Sequence, residues 1–133
     1  MNSTYPFIAR CRFLDGSERE LRCAYARNFF ERFMGLMGKD AIPVDCGLVF
    51  ERCRSIHMLF MRVPIDVLWV APRLRDGVYH VSGLSRRVRP WTIANAPMGA
   101  SVAIEFPAGT FEEPPISIAI YDRVVVDEGA GVA

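Results

Sequence analysis

The sequence predicts a β-rich α+β fold, a single domain with a curved or barrel-like, mostly antiparallel sheet and one short helix. Several short apolar runs alternate with polar residues or are bounded by turn residues, which is typical of many short strands. Clear helical spacing occurs only over about residues 28–38. Since no long element is evident to block the edges of an open sheet, we expect the sheet to curve and partly close.

Length and composition are those of one globular domain. The chain has 133 residues, of which 51% are apolar and 23% are charged, and these values favour a packed core over disorder. We therefore expect a single domain over residues 1–133. Its core is expected over about residues 5–126, and the C-terminal tail over 127–133 is expected to be frayed.

Composition also indicates a compartment. No apolar run reaches the roughly 18 to 20 residues of a membrane-spanning helix, and the first residues lack the basic and apolar regions of a signal peptide. The protein is therefore expected to be cytoplasmic. No pair of cysteines has C-x-x-C spacing, so reduced, mostly buried thiols are expected at Cys11, Cys23, Cys46 and Cys53.

The elements follow from local pattern. Residues 7–13 and 21–25 alternate on either side of the turn pair Asp15-Gly16, which predicts a β-hairpin. Between Asn28 and Gly38, phenylalanine and methionine recur at helical spacing. Residues 82–98 have no clear period and are expected to form a long loop. Further strands are predicted over 47–50, 56–61, 66–70, 78–81, 101–106 and 116–120.

The stretch from Ser55 to Val70 is the most apolar in the chain, yet it contains polar residues that need partners when buried. His57 and Asp66 flank an interruption at Pro64. A histidine near a carboxylate has the groups of a general base and its orienting partner, as in a hydrolase. Alternatively, His57 bonds to a main-chain carbonyl, and Asp66 pairs with Arg62 or caps a turn.

Two other polar groups are weaker candidates. Cys46, Cys53 and His57 could contribute to a zinc site, but their spacing matches no standard finger or ribbon, so no metal is expected. The sequence has no phosphate-binding loop or dinucleotide motif either, so no cofactor is expected. Glu105 lies in an otherwise apolar strand and is expected to be exposed. If its face is buried, it requires an arginine, and Arg62 or Arg89 would be the candidates.

Charge is distributed unevenly along the chain. Residues 52–91 carry eight arginines and two aspartates, a net charge of +6, whereas residues 92–133 carry −5. The two halves either neutralise each other or leave a basic face for an anionic partner. Arginines in this region flank Trp91 and could hold an anion or a nucleic-acid base, and the alternative is a solvated loop that the tryptophan anchors onto the sheet. These arginines are Arg86, Arg87 and Arg89.

Four blocks of sequence follow one another at characteristic spacing: Ala26-Arg27 with Arg32 to Gly38, Gly47 to Phe50, His57 to Trp69, and Arg89 to Trp91 with Ala103 to Thr110. Taken together and in order, they resemble the domain of unknown function 192 family, over about residues 20 to 126. The third block has a histidine where the commoner form has tryptophan, lysine and asparagine. The resemblance implies a compact, single-domain, barrel-like α+β fold and no established activity.

The leading functional hypothesis is a non-enzymatic binding module with a shallow pocket between the Ser55–Val70 stretch and the 82–98 loop. Its ligand would be a small anionic molecule or a segment of a partner protein. A net charge of only +1 argues against a dedicated nucleic-acid binder. The alternatives are a hydrolase using His57 and Asp66 and a structural or assembly accessory protein. The expected pocket residues are His57, Arg62, Asp66, Arg89 and Trp91.

Overall fold

The computed structural model describes residues 5–26, 42–57, 63–72 and 77–122. Within these ranges the chain is β-rich and has no α-helix, and no helix there is long and apolar enough to cross a membrane. The α+β class is therefore not supported, and the helix predicted over 28–38 lies outside the described residues. The strands are β1 (Phe7–Arg12), β2 (Glu18–Tyr25), β3 (Cys46–Phe50), β4 (Ser55–His57), β5 (Ile65–Val70), β6 (Val78–Val88), β7 (Ile93–Asn95), β8 (Val102–Pro107) and β9 (Ser117–Asp122).

Seven of the strands close into a barrel in the order β1-β2-β3-β8-β5-β6-β9. β1 pairs with β2 on one side and with β9 on the other, so it has no free edge. Every barrel pair is antiparallel except β2 with β3. The predicted hairpin and the predicted curved, mostly antiparallel sheet are thus confirmed.

Strand β5 is central because apolar residues cover both of its faces. All six of its residues are buried. Leu68 and Val70 belong to the barrel interior, whereas Ile65, Val67 and Trp69 belong to a second apolar layer outside the barrel. A strand that is buried on both faces has no reason to alternate, which explains the continuous apolar run in the sequence.

The loop predicted over 82–98 is wrong in its first part, because strand β6 occupies it. The strand continues to Val88 and pairs with β5 over most of its length, with register irregularities between Ile65 and Val67 and between Trp69 and Val70. Trp69 Nε1 donates a hydrogen bond to Ser85 Oγ at 2.9 Å. Residues 82–88 do not alternate in the sequence because this half of the strand has no continuous apolar face. It is held in the sheet by its pairing with β5.

Strands β4 and β7 form a separate antiparallel ribbon on the outer apolar layer. The register places His57 opposite Ile93 and Ser55 opposite Asn95. Ala94, at the centre of β7, is buried with the outer layer. Main-chain hydrogen bonds from Ala96 N to Arg54 O at 2.8 Å and from Cys53 N to Ser101 O at 2.7 Å attach the ribbon at one end.

The four cysteines are buried and form no disulfide in the described part of the chain, as predicted. Burial raises the pKa of the Cys11 thiol to about 12, and burial likewise raises the pKa of Cys23. In the unfolded chain, thiols lose their protons near pH 8.5. Above that pH the unfolded state binds fewer protons than the folded state, so stability decreases until the pH passes the folded pKa.

We expect each of these two thiols to lower the free energy of unfolding by about 1 kcal/mol between pH 8 and pH 9.5. Urea denaturation at a series of pH values measures the slope. The double variant Cys11→Ala/Cys23→Ala should be less stable at pH 7 but should lose less stability between these two pH values. If the free energy of unfolding fell as steeply with pH in the double variant as in the wild type, these two thiols would not be the cause of the pH dependence.

Candidate functional site

Asp66 is the buried polar residue around which one end of the barrel is built. It lies in β5, is 0% exposed, and accepts three hydrogen bonds from main-chain amides. Oδ1 accepts from Arg87 N at 2.9 Å, and Oδ2 accepts from Gly109 N at 3.1 Å and from Phe111 N at 3.2 Å. Hydrogen bonds to a carboxylate are among the stronger ones in proteins, so Asp66 fixes these backbone positions.

The three amides belong to two different connections. Arg87 lies at the end of β6, and Gly109 and Phe111 lie between β8 and β9. Arg87 has a left-handed φ of 51°, uncommon for a residue with a side chain. Arg87 Nη2 lies 3.7 Å from where a Cβ atom on Gly109 would be. The Asp66 carboxylate therefore holds the end of β6 against the β8–β9 loop.

The end of β6 carries the arginines that flank the exposed tryptophan. Within the described part of the chain, the guanidinium groups of Arg86, Arg87 and Arg89 form neither hydrogen bonds nor ion pairs, and all three side chains are exposed. Trp91 is 62% exposed and has a left-handed φ of 67°. We call these four residues the arginine–tryptophan surface. Its cations and its indole face solvent.

The residues predicted to form one pocket occupy different settings. Arg89 and Trp91 lie on the arginine–tryptophan surface, and Asp66 supports the end of β6 from inside the barrel. His57 lies in β4 and is paired with Ile93, two positions after Trp91. Arg62 lies outside the described residues. The fold thus brings the backbone at His57 towards the segment that carries Trp91, whereas the described contacts of Asp66 are to main chain.

These contacts bear on the hydrolase alternative. Both carboxylate oxygens of Asp66 already accept main-chain hydrogen bonds, and the side chain has no exposed surface. The turn-capping role is therefore the one that the geometry supports for Asp66. The thiol of Cys53 is buried and donates to Ser55 O at 3.2 Å, and main-chain bonds through Ser101 place it at the opposite end of β5 from Asp66. No contact among the described residues favours nucleophilic catalysis here.

Ion pairing does not neutralise the two oppositely charged halves of the chain in the described regions. The two ion pairs found there join Arg10 to Glu20 at 3.6 Å and Arg19 to Asp45 at 2.7 Å. All four of these residues precede the basic half. The arginines of the arginine–tryptophan surface therefore keep their charge available to solvent.

Glu105 is buried, and its predicted exposure is wrong. It is 1% exposed and lies between Leu48 of β3 and Val67 of β5 in the sheet register. Ala103 belongs to the outer apolar layer, whereas Ile104 and Phe106 belong to the barrel interior, so β8 alternates as predicted. The error arose because a second apolar layer outside the barrel leaves no trace in the pattern of β8 alone.

Two cavities lie at opposite ends of the barrel. One, of about 670 Å³, lies beside the β8–β9 loop, where Arg19 spans from Asp45 Oδ1 to Thr110 O. The other, of about 450 Å³, is lined by residues that are far apart in sequence. Sequence inspection missed both, since only the adjacent charges at Glu51 and Arg52 give any local signal. The second cavity is lined by Tyr25, Glu51, Arg52, Pro72, Tyr79, Ser101 and Val102.

Solved structures share this architecture. A protein from Sinorhizobium meliloti 1021, described as a candidate transcription regulator, aligns with a TM-score of 0.70 and 21% identity over 91% of this chain and 97% of its own. A protein of unknown function from Novosphingobium aromaticivorans DSM 12444 aligns with a TM-score of 0.65 and 18% identity over 86% of this chain and 83% of its own. At this level of identity the similarity shows the fold alone.

The sequence comparisons identify the family. No curated protein matches the chain significantly. The family model described as "Uncharacterized ACR" matches residues 12–125. That range covers most of the chain, with strands β2 to β9 complete and only the last residue of β1. The chain therefore belongs to the domain of unknown function 192 (DUF192) family.

Proposed function

We propose that this protein is a non-enzymatic binding module whose arginine–tryptophan surface holds an acidic segment of a partner protein. The observation that carries the proposal is the set of three exposed guanidinium groups without a partner in the described part of the chain. A guanidinium group binds a carboxylate with two parallel hydrogen bonds, which gives both affinity and orientation. A segment with two or three carboxylates would match this charge.

The apolar residues beside the arginines support a polypeptide partner. Trp91 is mostly exposed, and Ile93, two residues further along, is 56% exposed. Tryptophan and arginine are the residues most enriched among those that dominate binding energy at protein interfaces. An acidic segment with one or two apolar side chains would pair with the cations and cover the indole at the same time.

Rigid support also favours this surface as a recognition site. Asp66 fixes the main chain at Arg87, so the end of β6 is held before any partner arrives. The hydroxyl of Thr92 donates to Arg89 O at 2.5 Å and closes the turn around Trp91. A preformed backbone lowers the entropy lost on binding. Four cysteines without a disulfide among the described residues suit the cytoplasm, where we expect the partner to be.

Removing the three charges tests the proposal. The probe is a fluorescein-labelled peptide of eight glutamates and two leucines, and the measurement is fluorescence anisotropy at 50 mM and 300 mM NaCl. We expect Arg86→Gln/Arg87→Gln/Arg89→Gln to weaken binding at least tenfold, and salt to weaken wild-type binding. The control Arg10→Gln/Arg12→Gln/Arg54→Gln removes the same charge elsewhere and should change Kd less than threefold.

If the two triple variants lost peptide affinity equally, the peptide would be attracted by overall charge, and the proposal would be overturned. Binding of free citrate at the same arginines, with no binding of the peptide, would replace the protein partner with a small anion. Tighter binding of a single-stranded oligodeoxythymidine than of the peptide would replace it with nucleic acid.

Replacing Trp91 by glycine separates binding from stability. Glycine adopts a left-handed φ without strain, whereas a bulky residue in that region costs about 1 kcal/mol. We therefore expect the relief of backbone strain in Trp91→Gly to offset part of the stability lost with the side chain, so that the free energy of unfolding changes by less than about 1 kcal/mol while peptide affinity decreases. Urea denaturation and anisotropy measure the two effects. A clear loss of stability would show that Trp91 anchors the loop instead.

A further inference from the structure

The 450 Å³ cavity lies at the barrel end opposite to the arginine–tryptophan surface. We call it the mouth cavity. Tyr25 ends β2, Glu51 follows β3, Pro72 follows β5 and Val102 begins β8. Asp66 lies near the start of β5, at the other end of that strand. Anything bound in the mouth cavity would therefore occupy a site separate from the proposed partner surface.

Polar atoms from three strands or their ends converge in the mouth cavity. The hydroxyl oxygens of Tyr25 and Tyr79 lie 3.2 Å apart, and Tyr79 Oη donates to Glu51 Oε1 at 3.5 Å. Tyr79 is almost completely buried, so its hydroxyl is held at the base of the cavity. A buried tyrosine hydroxyl usually has a hydrogen-bond partner, and ligand sites combine apolar walls with a few convergent polar groups such as these.

Two opposite charges line the same cavity without neutralising each other. Glu51 and Arg52 are adjacent and exposed, and no ion pair joins them or engages Arg52 within the described ranges. Arg52 has a left-handed φ of 54°, which turns the chain sharply between the two residues and Cys53. Adjacent charges that stay apart on the wall of one cavity can each bind an opposite charge on a single ligand.

The backbone around these charges is preformed. Cys53 N donates to Ser101 O at 2.7 Å, directly after the Glu51–Arg52 turn, and Ser101 N donates to Val70 O at 3.2 Å. These bonds connect the ends of β3 and β5 to the start of β8. The wall of the cavity is therefore held by main-chain hydrogen bonds, and a ligand need not order it.

We propose that the mouth cavity binds a small zwitterion of the α-amino acid class, with its carboxylate at Arg52 and its ammonium group at Glu51. The cavity volume is within the range of small-molecule sites and accommodates an amino acid with its side chain. A simple anion would satisfy Arg52 but would be repelled by Glu51, and a simple amine would meet the reverse problem. Each tyrosine hydroxyl can donate one hydrogen bond to the ligand or accept one from it.

Saturation-transfer difference NMR and thermal shift on the full chain test this inference. The probes are the twenty proteinogenic amino acids at 10 mM, with acetate, propylamine and the N-acetyl amides of the strongest binders as single-charge or neutral analogues. We expect at least one amino acid to give a transfer signal and a rise in Tm of 2 °C or more. Its analogues should give less than a quarter of the signal.

Variants assign the effect to the cavity. Arg52→Gln and Glu51→Gln alter exposed side chains, and each should weaken binding of the amino acid at least tenfold. Tyr79→Phe should also weaken binding, but by less than tenfold. The control Arg12→Gln/Glu18→Gln removes one charge of each sign at the far end of the barrel and should leave affinity unchanged. The same variants should still bind the glutamate peptide, so the two proposals can fail separately.

The inference is overturned if no amino acid binds at 10 mM. It is also overturned if acetate or propylamine binds as well as the amino acid, or if Arg52→Gln and Glu51→Gln retain wild-type affinity.

Discussion

Replacing Asp66 by alanine is expected to lower the free energy of unfolding by about 4 kcal/mol, a large part of the stability of a domain of this size. The substitution removes an acceptor that binds three main-chain amides, at Arg87, Gly109 and Phe111. It leaves these donors partly or fully buried without a partner, and each such donor costs about 1 to 3 kcal/mol. Urea denaturation at pH 7 measures the change.

Two comparisons isolate the cause. Asp15 also accepts two hydrogen bonds, from the amide and the hydroxyl of Ser17, but it lies at an exposed hairpin tip. Asp15→Ala should therefore have only a small effect on stability. Asp66→Asn keeps the size of the side chain but replaces one acceptor oxygen with a donor that faces main-chain amides, so it should also be clearly destabilising.

Hydrogen exchange provides a local readout. The amides of Arg87, Gly109 and Phe111 should exchange much faster in Asp66→Asn, more than amides of β1 and β2. If they remained protected, or if Asp66→Ala were no more damaging than Asp15→Ala, the two connections would be held by something other than this carboxylate.

The local part of the fold could be predicted from sequence, because it depends on neighbours in the chain. Alternation around Asp15-Gly16 predicted the β1–β2 hairpin, and the apolar run in the Ser55–Val70 stretch predicted β5. Barrel closure followed from the many short strands without a covering element. The pairings of β8 with β3 and with β5 could not be predicted, since they join segments from three separate regions of the chain.

Burial at polar positions was the main source of error. The face of Glu105 was predicted to be exposed because β8 shows only its own alternation, and the outer layer comes from other strands. Asp66 was recognised as a polar residue in a core segment, but its three partners come from residues 87, 109 and 111. The clustering of arginines around Trp91 was visible in the sequence. That their guanidinium groups have no partner among the described residues could be seen only in the structure.

Gly47→Ala is expected to lower the free energy of unfolding by about 3 kcal/mol through overpacking. Gly47 lies in β3 opposite the ring of Phe106, and a Cβ atom added there would lie 2.5 Å from Phe106 Cε1. The ring has little room to withdraw. It packs edge-on against Phe111, with 5.0 Å between ring centroids, and the amide of Phe111 is bound to Asp66. The two most damaging substitutions therefore act on one connected part of the interior.

A double-mutant cycle tests whether the Phe106 ring is the obstacle. Phe106→Leu should cost less stability in the Gly47→Ala background than in the wild type, because the shorter side chain makes room for the new methyl group. Gly83→Ala serves as the control, since its added Cβ would meet only Pro97 Cγ, at 3.3 Å, and should cost less than about 1 kcal/mol. Additive losses in the cycle would mean that Gly47→Ala acts on the backbone of β3 and not through the aromatic pair.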